Sequence, residues 1–594
     1  MTLRRGLGLV LALIGVAVLV SFTLLALLYM GVSRRPAVPR AATLVLRPGG
    51  DLPELPPDGV VSQIFAEESD SVRSLVESLR YAKDDARITS VLLRPSSLDL
   101  PYWAKLQELR DAILDFRTSG KPVVAFLEFG GDREYYLATA ADHVYLLPAS
   151  PLDLTGVASY EIFLRGALDK LGVQPEFLHI GEYKTAPNQL TETEMTPAHR
   201  EMAESLNRDT YDQLVRAIAE SRKLTEEAVR TLIDRGPFVP SEAVAANLVD
   251  GLAYEDELDD KVPALRDGDE AAEQVEVEEY RNSRGYGSTG FSLSQRPRVA
   301  VLYAVGTIVS GRGGFDATDG ALVGSDAFVE EIRSIKDDSS VRAVVLRIDS
   351  PGGSSVASDV IWRELKLLKE DNPSRPLIVS MGDLAASGGY YIATPADEIV
   401  AQPSTLTGSI GIYVGKFALR EGLQKVGVST QVVMAGKNAD IYSPFTPFTP
   451  EQRARVQAFM GDFYKGFVAK VAESRKKTAE EIDALAQGRV WTGAQARERG
   501  LVDRLGGLHA AILVAKERAG IDADTEVDVV VYPHRRTVYE ALSDQLGGTG
   551  AGVSGVWAAL AGRGPARAVA AATAPARLFR RGEPLALMPF TFVR

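Results

Sequence analysis

The sequence predicts an α/β protein: two tandem copies of one domain with mostly parallel sheets, preceded by one N-terminal transmembrane helix. Three observations carry this. Short sequence matches recur in the same order at an offset of 253–255 residues. Within the copies, β-branched apolar runs bounded by turn residues alternate with amphipathic helical stretches. Leu7–Met30 is one apolar run without a charged residue.

The elements follow in chain order. About 20 apolar residues in a helix cross a bilayer, so Leu7–Met30 is long enough. A cleaved signal peptide expects a shorter apolar core and a small-residue cleavage site. Here the run passes directly into Arg34, Arg35 and Pro36, which favours an uncleaved anchor over residues 7–30, with 1–6 ahead of it. Arg4 and Arg5 on one side, and Arg34, Arg35 and Arg40 on the other, leave its orientation open.

The first copy is expected over 31–265 and the second over 298–535. Tyr135-Tyr136-Leu137-Ala138-Thr139-Ala140-Ala141-Asp142 matches Tyr390-Tyr391-Ile392-Ala393-Thr394-Pro395-Ala396-Asp397. Ala219–Lys223 matches Ala472–Lys476, and Leu248-Val249-Asp250 matches Leu501-Val502-Asp503. So long a period means a duplicated domain rather than a solenoid. Residues 266–297, first acidic and then rich in Ser and Gly, read as a linker. In the second copy, Val299–Tyr303, Ala343–Ile348, Leu377–Ser380 and Glu398–Ala401 read as strands. Asp326–Ile335, Val356–Lys369 and Glu451–Arg475 read as helices, the last with Phe459, Phe463 and Phe467 on one stripe. Residues 536–594, rich in Ala, Gly, Pro and Arg, read as a tail.

Composition narrows the chemistry. The 594 residues carry 66 Lys and Arg against 79 Asp and Glu, a net charge of −13. An acidic chain without a basic block is a poor nucleic-acid binder. With no cysteine, thiolate nucleophiles, disulfides and cysteine-ligated metals are excluded. The five histidines (His143, His179, His199, His509 and His534) are scattered.

Two glycine-rich turns stand out in the second copy. Asp349-Ser350-Pro351-Gly352-Gly353-Ser354 follows a strand and precedes a helix. Its glycines allow close backbone approach to a bound group, and their N–H groups can form an anion nest. An ordinary tight turn is the plainer reading. Leu384-Ala385-Ala386-Ser387-Gly388-Gly389 also lies between a strand and a helix start. Small neighbours leave the Ser387 hydroxyl accessible, and the following N–H groups favour negative charge. Against this, serine is a common helix N-cap. An α/β-hydrolase elbow would need a downstream acid and then His509 or His534.

With histidine scarce, a lysine is the alternative base, provided burial keeps its amine neutral. Ser474 and Lys477 have a formal Ser-x-x-Lys spacing but sit in a charged, solvated stretch. Comparison of the copies is more informative. Lys184 of the first copy faces Ala439 of the second, and Ser387 faces Asp132. Each copy thus holds what the other lacks, as a single site assembled across both would require. Neutral drift with a surface Lys184 is the competing account.

The two glycine motifs, Pro403-Ser404-Thr405-Leu406-Thr407-Gly408-Ser409-Ile410-Gly411 and Tyr183-Lys184-Thr185-Ala186 together resemble the signal peptide peptidase A family, in its long, duplicated form. The resemblance runs over roughly residues 40–530 and includes the anchor. It implies tandem crotonase/Clp-protease-like domains and a membrane-bound serine endopeptidase that cuts remnant signal peptides after secretion. Ser387 would be the nucleophile, Lys184 the general base and Ser409 the residue that orients the lysine. The Gly353 and Gly388 N–H groups would form the oxyanion hole. It further implies a homotetramer in the bacterial inner membrane with periplasmic catalytic domains, needing no metal or nucleotide. Two other readings stand beside it: an acyl-thioester enzyme on the same type of fold, and a non-catalytic membrane-tethered scaffold.

Overall fold

The computed structural model describes residues 38–55, 70–284, 296–316, 320–533, 585–588 and 592–593. The anchor expected over 7–30 and most of the tail lie outside these residues. Among the described residues, no helix is long and apolar enough to cross a membrane.

The first sheet has the strand order Gln274–Glu276, Ala42–Leu46, Ile88–Leu93, Val123–Leu127, His143–Leu146 and Gly251–Leu252. All its pairings are parallel. The second repeats this order in parallel with Asp528–Tyr532, Arg298–Val305, Val341–Ser350, Leu377–Ala386, Glu398–Ala401 and Arg504–Leu505, and adds Leu406–Gly408 beside Leu377–Ala386 with Val490–Thr492 antiparallel to it. Parallel strands covered on both faces must be apolar along their length. Ala42–Leu46 and Val123–Leu127 are accordingly buried at every position.

The matched octapeptides are structural fasteners. The Tyr135 hydroxyl donates to the Leu248 carbonyl at 2.6 Å, and that of Tyr390 to Leu501 at 2.8 Å. Asp142 accepts from the Val123 N–H at 2.9 Å, and Asp397 from Leu377 at 2.8 Å. Arg222 pairs with Asp250 and Arg475 with Asp503. These buried or half-buried polar groups need partners in each copy, so the same residues recur.

The elements read from sequence are present, Glu398–Ala401 with the same bounds and the others with longer ends. Leu377–Ser380 continues to Ala386, and Ala343–Ile348 spans Val341–Ser350. The helix Pro450–Arg475 buries Phe467, half-buries Phe463 and leaves Phe459 52% exposed. Steps of four residues advance about 40° past a full turn, so three such residues drift off one face. The described part of the stretch expected as a linker holds regular elements. Gln274–Glu276 is the edge strand of the first sheet, and Val277–Ser283 is a helix whose Val277 and Tyr280 join the first core.

The two copies are joined by more than a linker. Gln174–Ile180 of the first copy pairs antiparallel with Ile412–Ala418 of the second over seven registered positions. Arg347, fully buried in the second copy, donates to first-copy Glu54 and Glu108, each at 2.7 Å. A buried guanidinium with two carboxylates sets register more than it adds net stability. The sheet containing Gln174–Ile180 continues through Ile412–Ala418, Leu585–Leu587, Gly352–Ser354 and Thr307–Val309.

Candidate active site

Ser387 ends the long strand Leu377–Ala386 and starts the helix Gly388–Ala393. Its φ of 55° and ψ of −112° are rare for a residue with a side chain, and its N–H donates to the Gly408 carbonyl at 2.8 Å. Ser387 sits at the N-cap position, yet its hydroxyl makes no capping bond. The sharp turn directs it elsewhere.

That direction is toward Lys184. The lysine follows the strand Gln174–Ile180 in a turn whose Tyr183 N–H donates to the Gln487 carbonyl at 2.8 Å. Its Nζ lies 2.8 Å from Ser387 Oγ, 3.0 Å from Ser409 Oγ and 3.1 Å from the Ser409 carbonyl. Lys184, Ser387 and Ser409 are all fully buried. Among the described residues no carboxylate pairs with Lys184, and burial lowers its pKa well below the ordinary 10.5. Burial thus favours the uncharged amine, and the Ser387 hydroxyl with the Ser409 hydroxyl and carbonyl are the oxygens around it.

The glycine turns converge beside this pair. Gly353 has a φ of 153°, and a Cβ there would lie 2.0 Å from the Ile308 carbonyl oxygen. Gly388 opens the Ser387 helix, and its N lies 2.7 Å from where a Cβ on Gly352 would stand. The Pro-Gly-Gly segment is therefore both a tight turn and a close approach of two backbones. Beneath it, Asp349 accepts from the Leu384 N–H at 3.0 Å and pairs with first-copy Lys105 at 2.8 Å. Lys105 also lies 3.6 Å from Asp383, whose carboxyl is pushed up to about 6 by burial. This cluster ties the strands that carry the two glycine turns.

Two other sequence candidates lie on other elements. His509 lies on the helix Leu508–Arg518, pushed down to about 4 by burial and then by Arg80. His534 lies outside the described residues. Ser474 is in the last turn of Pro450–Arg475, on a different element from Ser387.

Sequence reasoning missed the glycines that shape the lysine's channel. A Cβ on Gly488, φ 78°, would lie 2.5 Å from that of Lys184, and one on Gly411 would lie 3.1 Å from its Cδ. Gly411 was within a noted motif, but Gly488 in Gln487-Gly488-Arg489 has no signal apart from being glycine. The supporting Lys105 also went unread, because its partners are distant in sequence.

Comparison with known proteins places the chain in a family. The family described as Peptidase family S49 matches twice, at residues 115–267 and 369–522. A chloroplastic serine protease SPPA of Arabidopsis thaliana is 34% identical over 490 residues, covering 82% of this chain and 71% of that protein. Protease 4 of Salmonella typhi is 33% identical over 82% of this chain and 78% of its own. Protease 4 of Haemophilus influenzae is 29% identical over 77% and 74%. This chain belongs to peptidase family S49 and is a serine peptidase.

Proposed function

We propose that this chain is a membrane-anchored serine endopeptidase that uses a Ser387/Lys184 dyad to cut hydrophobic remnant signal peptides. The observation that carries the dyad is a buried amine without a carboxylate partner, 2.8 Å from a serine hydroxyl on a strained turn. In this reading, neutral Lys184 takes the Ser387 proton as Oγ attacks a peptide carbonyl. The Gly353 and Gly388 N–H groups hold the oxyanion, and Ser409 keeps the lysine aimed. The lysine ammonium protonates the leaving amine, and water then releases the acyl group. No metal or nucleotide takes part.

The substrate class is supported by the apolar cluster next to Ser387, in which Leu406 packs against buried Met202, Ala386 and Val490. Residues 7–30 are the anchor in this reading, the repeats are crotonase/Clp-protease-like, and the protein is a homotetramer of the bacterial inner membrane with its catalytic domains in the periplasm. The test is to assay Ser387→Ala and Lys184→Ala on a hydrophobic peptide, with thermal melts to establish folding. Both are expected to lose activity by roughly 10³-fold or more. Wild-type activity in both folded variants would overturn the dyad.

A further inference from the structure

Lys184 and Ser409 arrive on separate loops, and one short segment holds both. Gln487-Gly488-Arg489 lies between the helix Ala479–Leu485 and the strand Val490–Thr492. The Gln487 carbonyl accepts from the Tyr183 N–H at 2.8 Å, one residue before Lys184. The Gly488 N–H donates to the Ile410 carbonyl at 2.8 Å, and the Arg489 carbonyl accepts from the Ser409 N–H at 2.7 Å. The segment thus ties the lysine turn to the loop that carries Ser409. Ser409 has a φ of 49° and Gln487 one of 52°. Residues with side chains keep such conformations only where their surroundings impose them.

The segment is itself anchored at both ends. The Gln487 side-chain amide donates to Asp483 of the second copy at 2.9 Å. Arg489 reaches into the first copy instead. Its guanidinium lies 4.6 Å from the centre of the Tyr183 ring and 4.4 Å from that of Trp491. It pairs with one oxygen of Glu201 at 2.9 Å, and the Tyr183 hydroxyl donates to the other at 2.6 Å. Glu201 lies on the first-copy helix Pro197–Arg222. Arg489, Tyr183 and Glu201 therefore close a triangle beside the lysine turn. The Glu201 side chain is 54% exposed, so this ion pair adds little to stability. A planar cation that stacks and pairs at once fixes geometry instead.

We infer that Arg489 is a positioning residue for the reaction: its carbonyl holds Ser409, its guanidinium holds Tyr183, and together they set the approach of Lys184 Nζ to Ser387 Oγ and keep water from the amine. The inference rests on the Ser387/Lys184 reading. A misplacement of about 1 Å at a reacting pair can cost roughly 100-fold in rate. Loss of the guanidinium frees the Tyr183 ring and Glu201 from their shared partner and opens the turn to water. A hydrated Lys184 keeps its proton to higher pH, because burial is what holds its pKa down. The ionisable groups about that turn are Glu182, Tyr183, Glu201 and Arg489. The bond between them pushes the Tyr183 phenol up and, with Arg489, holds the Glu201 carboxyl down, so neither titrates near neutral pH.

The test is steady-state hydrolysis of a hydrophobic peptide by the full-length protein in detergent, across roughly pH 6–9. In Arg489→Ala, kcat is expected to fall about 10–100-fold with KM within about twofold, and the acid limb of kcat/KM to move up by about one pH unit. Arg489→Lys keeps a cation for Glu201 and both rings and is expected to lie between this variant and wild type. An unchanged kcat, a loss confined to KM, or a fall in kcat with the acid limb in place would each overturn the inference. If Arg489→Ala does not fold, Glu201→Gln decides, since it alters an exposed position on a long helix; an unmoved acid limb there overturns the inference, and an upward shift supports it. Lys184→Ala is assayed alongside. Full activity in that variant overturns the dyad, whereas an inactive Lys184→Ala beside an unaltered Arg489→Ala overturns only the role of Arg489.

Discussion

Two lysines of the first copy are buried against the second, and they have opposite chemistry. Lys105 sits between Asp349 and Asp383, at 2.8 and 3.6 Å. Burial alone would lower its pKa, but these carboxylates, with Glu54, raise it above the ordinary lysine value. Lys184, 0% exposed against 9% for Lys105, meets only serine oxygens, so burial acts unopposed and lowers its pKa well below 10.5. Depth of burial is therefore not what makes a base. A buried amine with carboxylates is a structural cation, and one with only neutral acceptors can take up a proton.

Exchanging each lysine for methionine should separate these roles most sharply. Lys184→Met is expected to lose roughly 10³-fold or more in peptide hydrolysis. It should melt no lower than wild type at neutral pH, because it removes a buried amine that must shed its proton on folding. Lys105→Met should instead strand two buried carboxylates, at a cost of about 3–5 kcal/mol in denaturant unfolding. Equal losses of stability in the two variants would erase the distinction.

The pH dependence sharpens it further. Lys184 works only when neutral, so kcat/KM should fall about tenfold per pH unit below its depressed pKa. The stability term has a definite sign. The folded pKa lies below the unfolded value of 10.5, so the unfolded state binds more protons between the two. Stability from this group is present above pH 10.5 and is lost as pH falls toward the folded pKa. Thermal melts of wild type and Lys184→Met across pH 7–10 (about the range that most folds tolerate) should converge as pH rises. A constant gap would refute the neutral amine.

Smaller effects test how the lysine is aimed. Gly488→Ala forces a side chain into a left-handed backbone and against the Lys184 stem. About 1–3 kcal/mol of destabilisation is expected, with a roughly 10–100-fold loss of kcat. Ser409→Ala removes one of the two Ser409 oxygens that hold Nζ, and should cost about tenfold in kcat with little change in melting temperature. If Ser409→Ala were as damaging as Lys184→Met, Ser409 would be more than an orienting group.

Much of the site was legible because its parts are local. Ser387, with small residues around it and a glycine pair after it, announces a candidate nucleophile at a helix start, although the folded chain buries the hydroxyl that the small neighbours were expected to leave accessible. Lys184 became visible by subtraction, since the matching position in the second copy is Ala439. What stayed hidden depends on chain segments far apart. Gly488 is special only because Lys184 passes within 2.5 Å of any side chain it could carry. Lys105 gave no signal, because its carboxylates lie almost 250 residues or more away. Leu585–Met588 read as part of an unpatterned tail, since a short strand paired through its backbone needs no periodicity of its own.

The sequence by itself determined the duplication, the α/β alternation and the shortage of thiol and imidazole, because these follow from local pattern and composition. Only the tertiary structure decided that Lys184 is buried without a counter-ion, that it meets Ser387, and that Ala586 lies along Gly353. A lysine's pKa depends on its surroundings in space, and those surroundings come from both copies.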